Sequence, residues 1–428
     1  MLNKIIIYST STGLLRAFTF LASIVLAKSY EMATVGEYVL MQTIAQLLVP
    51  LLTLNVTVAL TREANVNPHG AIKLIRYVWT AASVVAGLAL LLGLLFKTHY
   101  WWLFGIALGA SEAIFASGNS FFLGKERSTR ILATSMIKVA GFMVLICLAF
   151  LHFIDMYTLT LCMVLHNYAI AAYFALMAIR SEPKADAAYS EVISPKRMLL
   201  YSMSTLPHTA ALWASVSSDR LLLGSLIGKE VVAQYIMSYT IAQSVMVVVS
   251  GVVSAMPPRV INDPDTWRTP SHVISFFKNL AKVCLLATFV NIAFVYLDRK
   301  YLGLIPNLTE QSYLLVGLLS TGFFYSVLYV FFASYLYLNR ETGFLKTAGV
   351  ILAPLNLLVV YAGVSLWGQV GAAIGLLFSY LSFGVAYGYA AARIEKFIGS
   401  VWRYIILISV LFLLIVVGIA YLAKLIDA

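Results

Sequence analysis

Thirteen apolar stretches, each long enough to cross a lipid bilayer as a helix, follow one another with little between them. They cover about residues 5–28, 36–60, 74–96, 101–123, 131–152, 157–179, 198–227, 232–257, 272–296, 312–338, 345–366, 369–392 and 404–425. A spanning helix needs about 20 mostly apolar residues at about 1.5 Å rise per residue. Only 11% of the residues are charged and the mean hydropathy is +0.90, whereas a soluble surface needs roughly a quarter charged. The chain is therefore expected to be an all-α polytopic membrane protein. The longest links, about 180–197 and 297–311, are too short for a folded catalytic domain. The first stretch carries Arg16 and lacks a small-residue cleavage site, so it reads as a spanning helix rather than a removable signal. Cys147, Cys162 and Cys284 lie within apolar runs and read as small packing residues, with no disulfide framework or metal spacing.

The net charge is +11, and its placement argues against a nucleic-acid partner. With the N-terminus on the cytoplasmic side, 21 of the 29 Lys and Arg fall on the inner side. Six fall outside (Lys28, Lys97, Lys229, Arg299, Lys300 and Lys424), and Arg16 and Arg220 lie within spans. This is the positive-inside bias of an inner-membrane protein. It leaves the C-terminus outside if the thirteenth stretch spans.

Residues 35–65 align without a gap on 232–262, with nine identities in 31 positions that include the run Thr43-Ile44-Ala45-Gln46 against Thr240-Ile241-Ala242-Gln243. Leu123-Gly124-Lys125-Glu126 gives a weaker echo in Leu338-Asn339-Arg340-Glu341. The repeat equates the second span with the eighth, so both halves run in the same direction. The expected division is 1–190 and 191–392 as two six-helix bundles, with 393–428 as an additional C-terminal helix. Transporters with parallel repeats bind substrate between their halves and rock one against the other.

Polar residues gather on single helix faces. Gln42, Gln46, Pro50, Thr53 and Thr57 share one face of the second span, and Tyr239, Gln243, Ser250 and Ser254 occupy the matching face of the eighth. Such faces line a water-filled cavity or pack as helix–helix contacts, and the pattern leaves both open. Ser9, Thr12, Arg16, Thr19 and Ser23 form a similar stripe in the first span. Arg16 would lie ~18 Å from Lys4 along the helix, deep enough to require a partner, and Glu112 stands at similar depth with opposite sign. Lys138, Lys278 and Lys282 read as inner-half cations that either snorkel or form an electropositive vestibule for an anionic headgroup. Tyr201, Thr205, His208, Ser215 and Asp219 share a face of the seventh span, with Pro207 expected to loosen it. Asp219 and Arg220 would act as an outer latch or sit at the interface. His208 and His166 titrate nearest neutral pH, although a lone His is more often a hydrogen-bonded core residue. The aromatics of 323–337 read as an interfacial belt or as a surface for sugar rings.

Several motifs carry a family resemblance. Gly13-Leu14-Leu15-Arg16, Val35-Gly36-Glu37-Tyr38, Asp219-Arg220-Leu221-Leu222-Leu223-Gly224 with Tyr235, and Gly368-Gln369-Val370-Gly371-Ala372-Ala373-Ile374-Gly375 resemble the polysaccharide flippases of the multidrug/oligosaccharidyl-lipid/polysaccharide exporter superfamily. The resemblance implies 12 core helices in two bundles arranged as a V, as in the superfamily's multidrug exporters, here with a thirteenth. It implies an undecaprenyl-pyrophosphate-linked oligosaccharide of O-antigen type, flipped from the inner to the outer leaflet without catalysis. A polysaccharide polymerase and a chain-length regulator would be its partners beside membrane lipids. Arg16 matches the family's first-helix arginine by position. On this reading Arg16, Lys138, Lys278 and Lys282 attract the anionic headgroup, and Thr12, Gln46, Gln243 and Tyr239 line the glycan path. Glu112, Asp219 and His208 are the candidates for proton or sodium coupling, and no other cofactor is expected. The rivals are a multidrug or cation antiporter of the same superfamily and a membrane polymerase or ligase. The excess of intramembrane cations argues against the first, and the short outer loops argue against the second.

Overall fold

The computed structural model describes residues 18, 21–64, 67–96, 100–125, 127–181, 194–339 and 342–427. All regular structure among them is helical: α1 (21–29), α2 (Met32–Leu52), α3 (Val56–Glu63), α4 (Pro68–Leu95), α5 (Tyr100–Gly124), α6 (Ser128–Phe150), α7 (Met156–Arg180), α8 (Pro195–Leu226), α9 (Lys229–Asn262), α10 (Pro264–Trp267), α11 (Pro270–Leu297), α12 (Gln311–Leu338), α13 (Thr342–Ile394) and α14 (Lys396–Asp427). Among the described residues ten helices are long and apolar enough to cross a membrane, which makes this a multi-pass membrane protein. The serine-rich α8, with His208, Asp219 and Arg220, is not among the ten. The expected first span lies mostly outside the described residues. Two compact units form, one from Ser29–Trp213 and the other from Ala214 onward with 21–28.

In the N-terminal unit α5 packs against α2, α4 and α7. It can approach α2 closely because Gly105 and Gly109 face that helix. A Cβ added to them would stand 3.0 Å from the Met41 carbonyl oxygen and 2.8 Å from that of Ala45. Small residues four apart let membrane helices gain van der Waals contact where no hydrophobic force joins them.

The expected continuous span over 36–60 is broken instead. Pro50 lies in the last turn of α2, and Leu54 and Asn55 take left-handed conformations before α3 begins. Proline removes a backbone donor, and asparagine tolerates positive φ. The Thr53 hydroxyl donates to the Val49 carbonyl at 2.8 Å, and the Asn55 amide donates to Thr209 Oγ1 at 3.0 Å. α8, by contrast, runs on through Pro207 without a break.

The C-terminal unit is built around α12, nearly all of whose residues are buried. This corrects the reading of its aromatics as an interfacial belt or sugar platform. Phe323, Phe324, Tyr325, Phe331, Phe332 and Tyr335 are all buried. The C-terminal α14 covers several of them. Phe324 stacks on Phe412 at 4.4 Å, Phe332 meets Trp402 at 5.0 Å, and Tyr325 donates to the Ser409 carbonyl at 3.0 Å. The additional helix thus completes the core of this unit.

α13 contains two spans that meet at Gly368, whose φ of 56° and ψ of −126° are non-helical, and the expected segments 345–366 and 369–392 fall on either side. The helix after the turn packs directly on the one before it. A Cβ on Gly363 would lie 2.7 Å from the Gly371 carbonyl oxygen, and one on Gly375 would lie 2.7 Å from Val360 Cγ2. The motif Gly368–Gly375 therefore has a local physical basis: a left-handed turn followed by two points of backbone contact. Buried polar bonds tie these helices to α8. The Asn356 amide donates to Ser215 Oγ at 3.1 Å, and the Ser379 hydroxyl donates to the Ser215 carbonyl at 3.0 Å.

Both ends of α14 are tied down. Just before it, Glu395 accepts from Arg268 at 2.7 and 3.1 Å and from the Asn339 amide at 3.3 Å. The Arg268 guanidinium holds the Glu395 carboxyl below its usual range. At the far end Asp427 pairs with Arg299, and the Asp298 carboxylate accepts from the Leu304 and Ile305 amides at 2.8 and 3.0 Å. The C-terminal residues therefore lie at the end of the unit that carries 298–310.

Gly371→Val is expected to destabilise the protein by about 3 kcal/mol, the upper range for overpacking, because the nearest atoms are backbone. Gly399→Ala, where a Cβ meets nothing within 4 Å, should leave the melting temperature in detergent unchanged. Equal melting temperatures for the two variants would contradict the close crossing at Gly371.

Candidate functional site

Charge in the middle of a spanning helix decides where this chain places its chemistry. A lone charge at the bilayer centre costs at least about 2.5–3.5 kcal/mol, so it is paired and turned inward, or it meets water. Glu112 lies midway along α5 and Lys138 midway along α6. Their side chains meet, with Lys138 Nζ 2.6 Å from Glu112 Oε1. The assignment of Lys138 to the inner half of its helix is thereby corrected: it sits at the helix midpoint, too deep to snorkel, and has a carboxylate partner. Its ammonium also stands over the Phe115 ring at 4.4 Å and 5.9 Å from the Phe142 ring, where the ring quadrupoles favour a cation.

The pair is asymmetric. The Lys138 side chain is 5% exposed and that of Glu112 is 30% exposed. Glu112 lies on the accessible stripe of α5 with Ile106, Ala116 and Asn119, while the helix's other faces are packed. Behind the lysine lies a polar core. The Asn167 amide donates to Ser111 Oγ at 2.6 Å, and His166 Nε2 lies 3.2 Å from the Lys138 carbonyl oxygen. His166 is thus a half-buried, hydrogen-bonded residue. An accessible carboxylate backed by a buried ammonium can accept a proton or a cation in place of that ammonium, which leaves Lys138 without its partner.

The C-terminal unit holds a second buried charge cluster. Asp219 accepts from the Tyr235 hydroxyl and from the Arg220 backbone amide, both at 2.8 Å. The Arg220 guanidinium lies 4.1 Å from the Tyr239 ring centroid, and Tyr239 meets Phe323 edge-on at 5.4 Å. Asp219 and Arg220 are 1% and 5% exposed, so both are packed within the unit rather than open at its surface. They join α8 to α9 within the unit. Tyr239, expected along the glycan path, is buried beneath Arg220.

The remaining candidates fall as follows. Gln46 is exposed on α2, one turn beyond Gln42, whose amide donates to the Tyr38 hydroxyl at 2.9 Å. Gln243 is half-buried, and its carbonyl oxygen has no hydrogen-bond partner among the described residues. Lys278 and Lys282 lie on the exposed face of α11 among Val283, Leu286 and Phe289, as snorkelling lysines do. His208 is buried. Thr12 and Arg16, and with them the expected pairing of Arg16 with Glu112, lie outside the described residues. Among the described residues no His, Cys, Asp and Glu group has the makings of a metal site.

Sequence reasoning missed the Glu112–Lys138 pair, although a signal for it existed. The two residues stand at equal separations on either side of Lys125 in the turn between α5 and α6. That places them at one depth on neighbouring antiparallel helices.

Residues 1–261 match the model of a family described as polysaccharide biosynthesis protein. No curated protein matches the chain in sequence. Among solved structures, the fold is similar to that of the lipid II flippase MurJ in an inward closed conformation, with a TM-score of 0.60 at 13% identity over 99% of this chain and 98% of that one. It is also similar to a MATE protein in its straight conformation, with a TM-score of 0.62 at 15% identity over 92% and 96%. A MOP-superfamily transporter from Pyrococcus furiosus gives a TM-score of 0.59 at 14% identity over 92% and 96%.

Removing one partner of a buried ion pair typically costs about 3–5 kcal/mol, whereas replacing both by apolar groups is often neutral. Glu112→Leu should therefore lower the melting temperature strongly, and Glu112→Leu with Lys138→Met should restore most of the loss. Additive losses in this double-mutant cycle would show that the two groups do not interact.

Proposed function

Because the chain belongs to the polysaccharide biosynthesis protein family and has the fold of MOP-superfamily transporters, we propose that it is a lipid-linked oligosaccharide flippase. The substrate is an undecaprenyl-pyrophosphate-linked repeat unit of O-antigen type, moved from the cytoplasmic to the periplasmic leaflet of a bacterial inner membrane. The family match carries this reading, and the fold shared with a lipid II flippase supports it.

The proposed route is alternating access between two six-helix bundles of common orientation, 1–190 and 191–392, with 393–428 as the added helix. Arg16 attracts the pyrophosphate, while Lys278 and Lys282, on the exposed face of α11, are reassigned to snorkelling. Thr12, Gln46 and Gln243 hydrate the glycan, while the polyprenyl chain stays in lipid. Lys138 is reassigned from headgroup attraction to the support of Glu112, and Tyr239 to the support of Arg220. Glu112 then becomes the favoured ion-coupling group, because it is the more accessible member of a mid-helix ion pair. The buried Asp219 and His208 are left as lesser candidates. Protonation of Glu112 would release Lys138 and change the cost of burying it, which gives a proton gradient something to act upon.

An antiporter for cationic drugs is the second reading, favoured by the same accessible carboxylate. The two separate in a strain that lacks its own flippase. The expected result is that this chain restores surface polysaccharide and confers no drug resistance. Arg16→Ala and Glu112→Gln should each reduce that restoration at least about tenfold, equivalent to about 1.4 kcal/mol, at unchanged expression. Drug resistance without surface polysaccharide would support the antiporter, and full restoration by Arg16→Ala would remove the proposed anion site.

A further inference from the structure

A cavity of about 320 Å³ opens in the N-terminal unit where α6 begins and α7 ends, lined by Arg130, Tyr173, Leu176, Met177, Arg180 and Ser181. No carboxylate among the described residues pairs with either arginine. Arg130 instead rests on the Phe122 ring at 5.3 Å, and the Ser181 hydroxyl donates to the Ala178 carbonyl at 2.7 Å. More positive charge surrounds the opening. Partial burial, with Arg127 and Arg130 close by, holds the Lys125 ammonium below its usual range. Two guanidiniums that line one cavity with no carboxylate partner among the described residues are suited to an anion.

The neighbouring helix faces indicate what kind of anion fits. Leu165, Ala169, Tyr173 and Leu176 are exposed along α7 at spacings of four, four and three, and the stripe ends at the exposed Arg180. On α6 the exposed stripe of Ala133, Met136, Ile137, Ala140 and Val144 runs beside it and begins next to Arg130. An apolar track some four turns long leads into a cationic cavity with a tyrosine at the join. A free phosphate would use only the arginines, whereas a phospholipid uses the whole surface, with its acyl chains along the stripes and its phosphate between the guanidiniums. Basic pockets between membrane helices hold anionic headgroups in this way.

We propose that this cavity is a binding site for the phosphate headgroup of an anionic phospholipid, separate from the transported substrate. The site does not depend on the flippase reading, because it uses none of the residues assigned to transport.

The test uses the full chain in nanodiscs of phosphatidylcholine alone or with phosphatidylglycerol, followed by native mass spectrometry of retained lipid. The wild type is expected to retain phosphatidylglycerol over phosphatidylcholine. Arg130→Gln with Arg180→Gln should weaken that retention about thirtyfold, as expected for two surface cations. Lys346→Gln, an exposed cation elsewhere, should change it little. The melting temperature in phosphatidylcholine reports folding, and the double variant should match the wild type there. Equal retention by the wild type and the double variant would overturn the proposal. So would competition by inorganic phosphate as effective as that by phosphatidylglycerol, or displacement by undecaprenyl pyrophosphate at far lower concentration, which would assign the cavity to the substrate.

Discussion

Inside a bilayer no polar group can turn to water by default, and this constraint organises the chain more than any single packing contact. Each unit answers it with internal partners. Glu112 and Lys138 neutralise one another at mid-helix. Asp219 takes hydrogen bonds from Tyr235 and the Arg220 amide, and Arg220 rests on Tyr239. Ser215, Asn356 and Ser379 close a neutral network. The low local dielectric strengthens these pairings and makes their loss costly, so they fix helix neighbours that apolar surfaces alone would leave interchangeable.

The repeated segments keep a common position while their chemistry diverges. Tyr38 and Tyr235 are equivalent, and both are buried with bonded hydroxyls, one accepting from Gln42 and the other donating to Asp219. Gln46 and Gln243 are equivalent too, yet the first is exposed and the second half-buried. One unit therefore keeps its mid-membrane ion pair partly open, and the other packs its charges away. That asymmetry supports placing ion coupling in the N-terminal unit.

Much of the helical layout was legible in the sequence, because a spanning helix declares itself by length and apolarity. The two spans of α13 and the turn at Gly368 fell where the sequence placed them, since glycine spacing encodes both the left-handed turn and the close crossing. The break in α2 was not read, because Pro50 near a helix end is often tolerated and the left-handed Asn55 needs the fold to hold it. The aromatics of α12 were misread for a different reason. A helix apolar on every side carries no sign of which neighbour covers it, and here the cover is α14. The partner sought for Glu112 by depth was Arg16, which lies outside the described residues, whereas Lys138 was read as an inner-half cation and its place beside Glu112 needs the α5–α6 turn. Tyr235 and Tyr239 were seen as repeat positions, but nothing in their pattern revealed that they solvate Asp219 and Arg220.

The Glu112–Lys138 pair is open on one side only, its carboxylate being the accessible member and its ammonium packed away. The most direct test puts single cysteines at 112 and 138 in a background with Cys147, Cys162 and Cys284 replaced, and measures their reaction with a water-soluble thiol reagent in sealed vesicles. The cysteine at 112 should react and the one at 138 should stay protected. Protection at 112, or equal reaction at both positions, would show that the pair is not open on its carboxylate side.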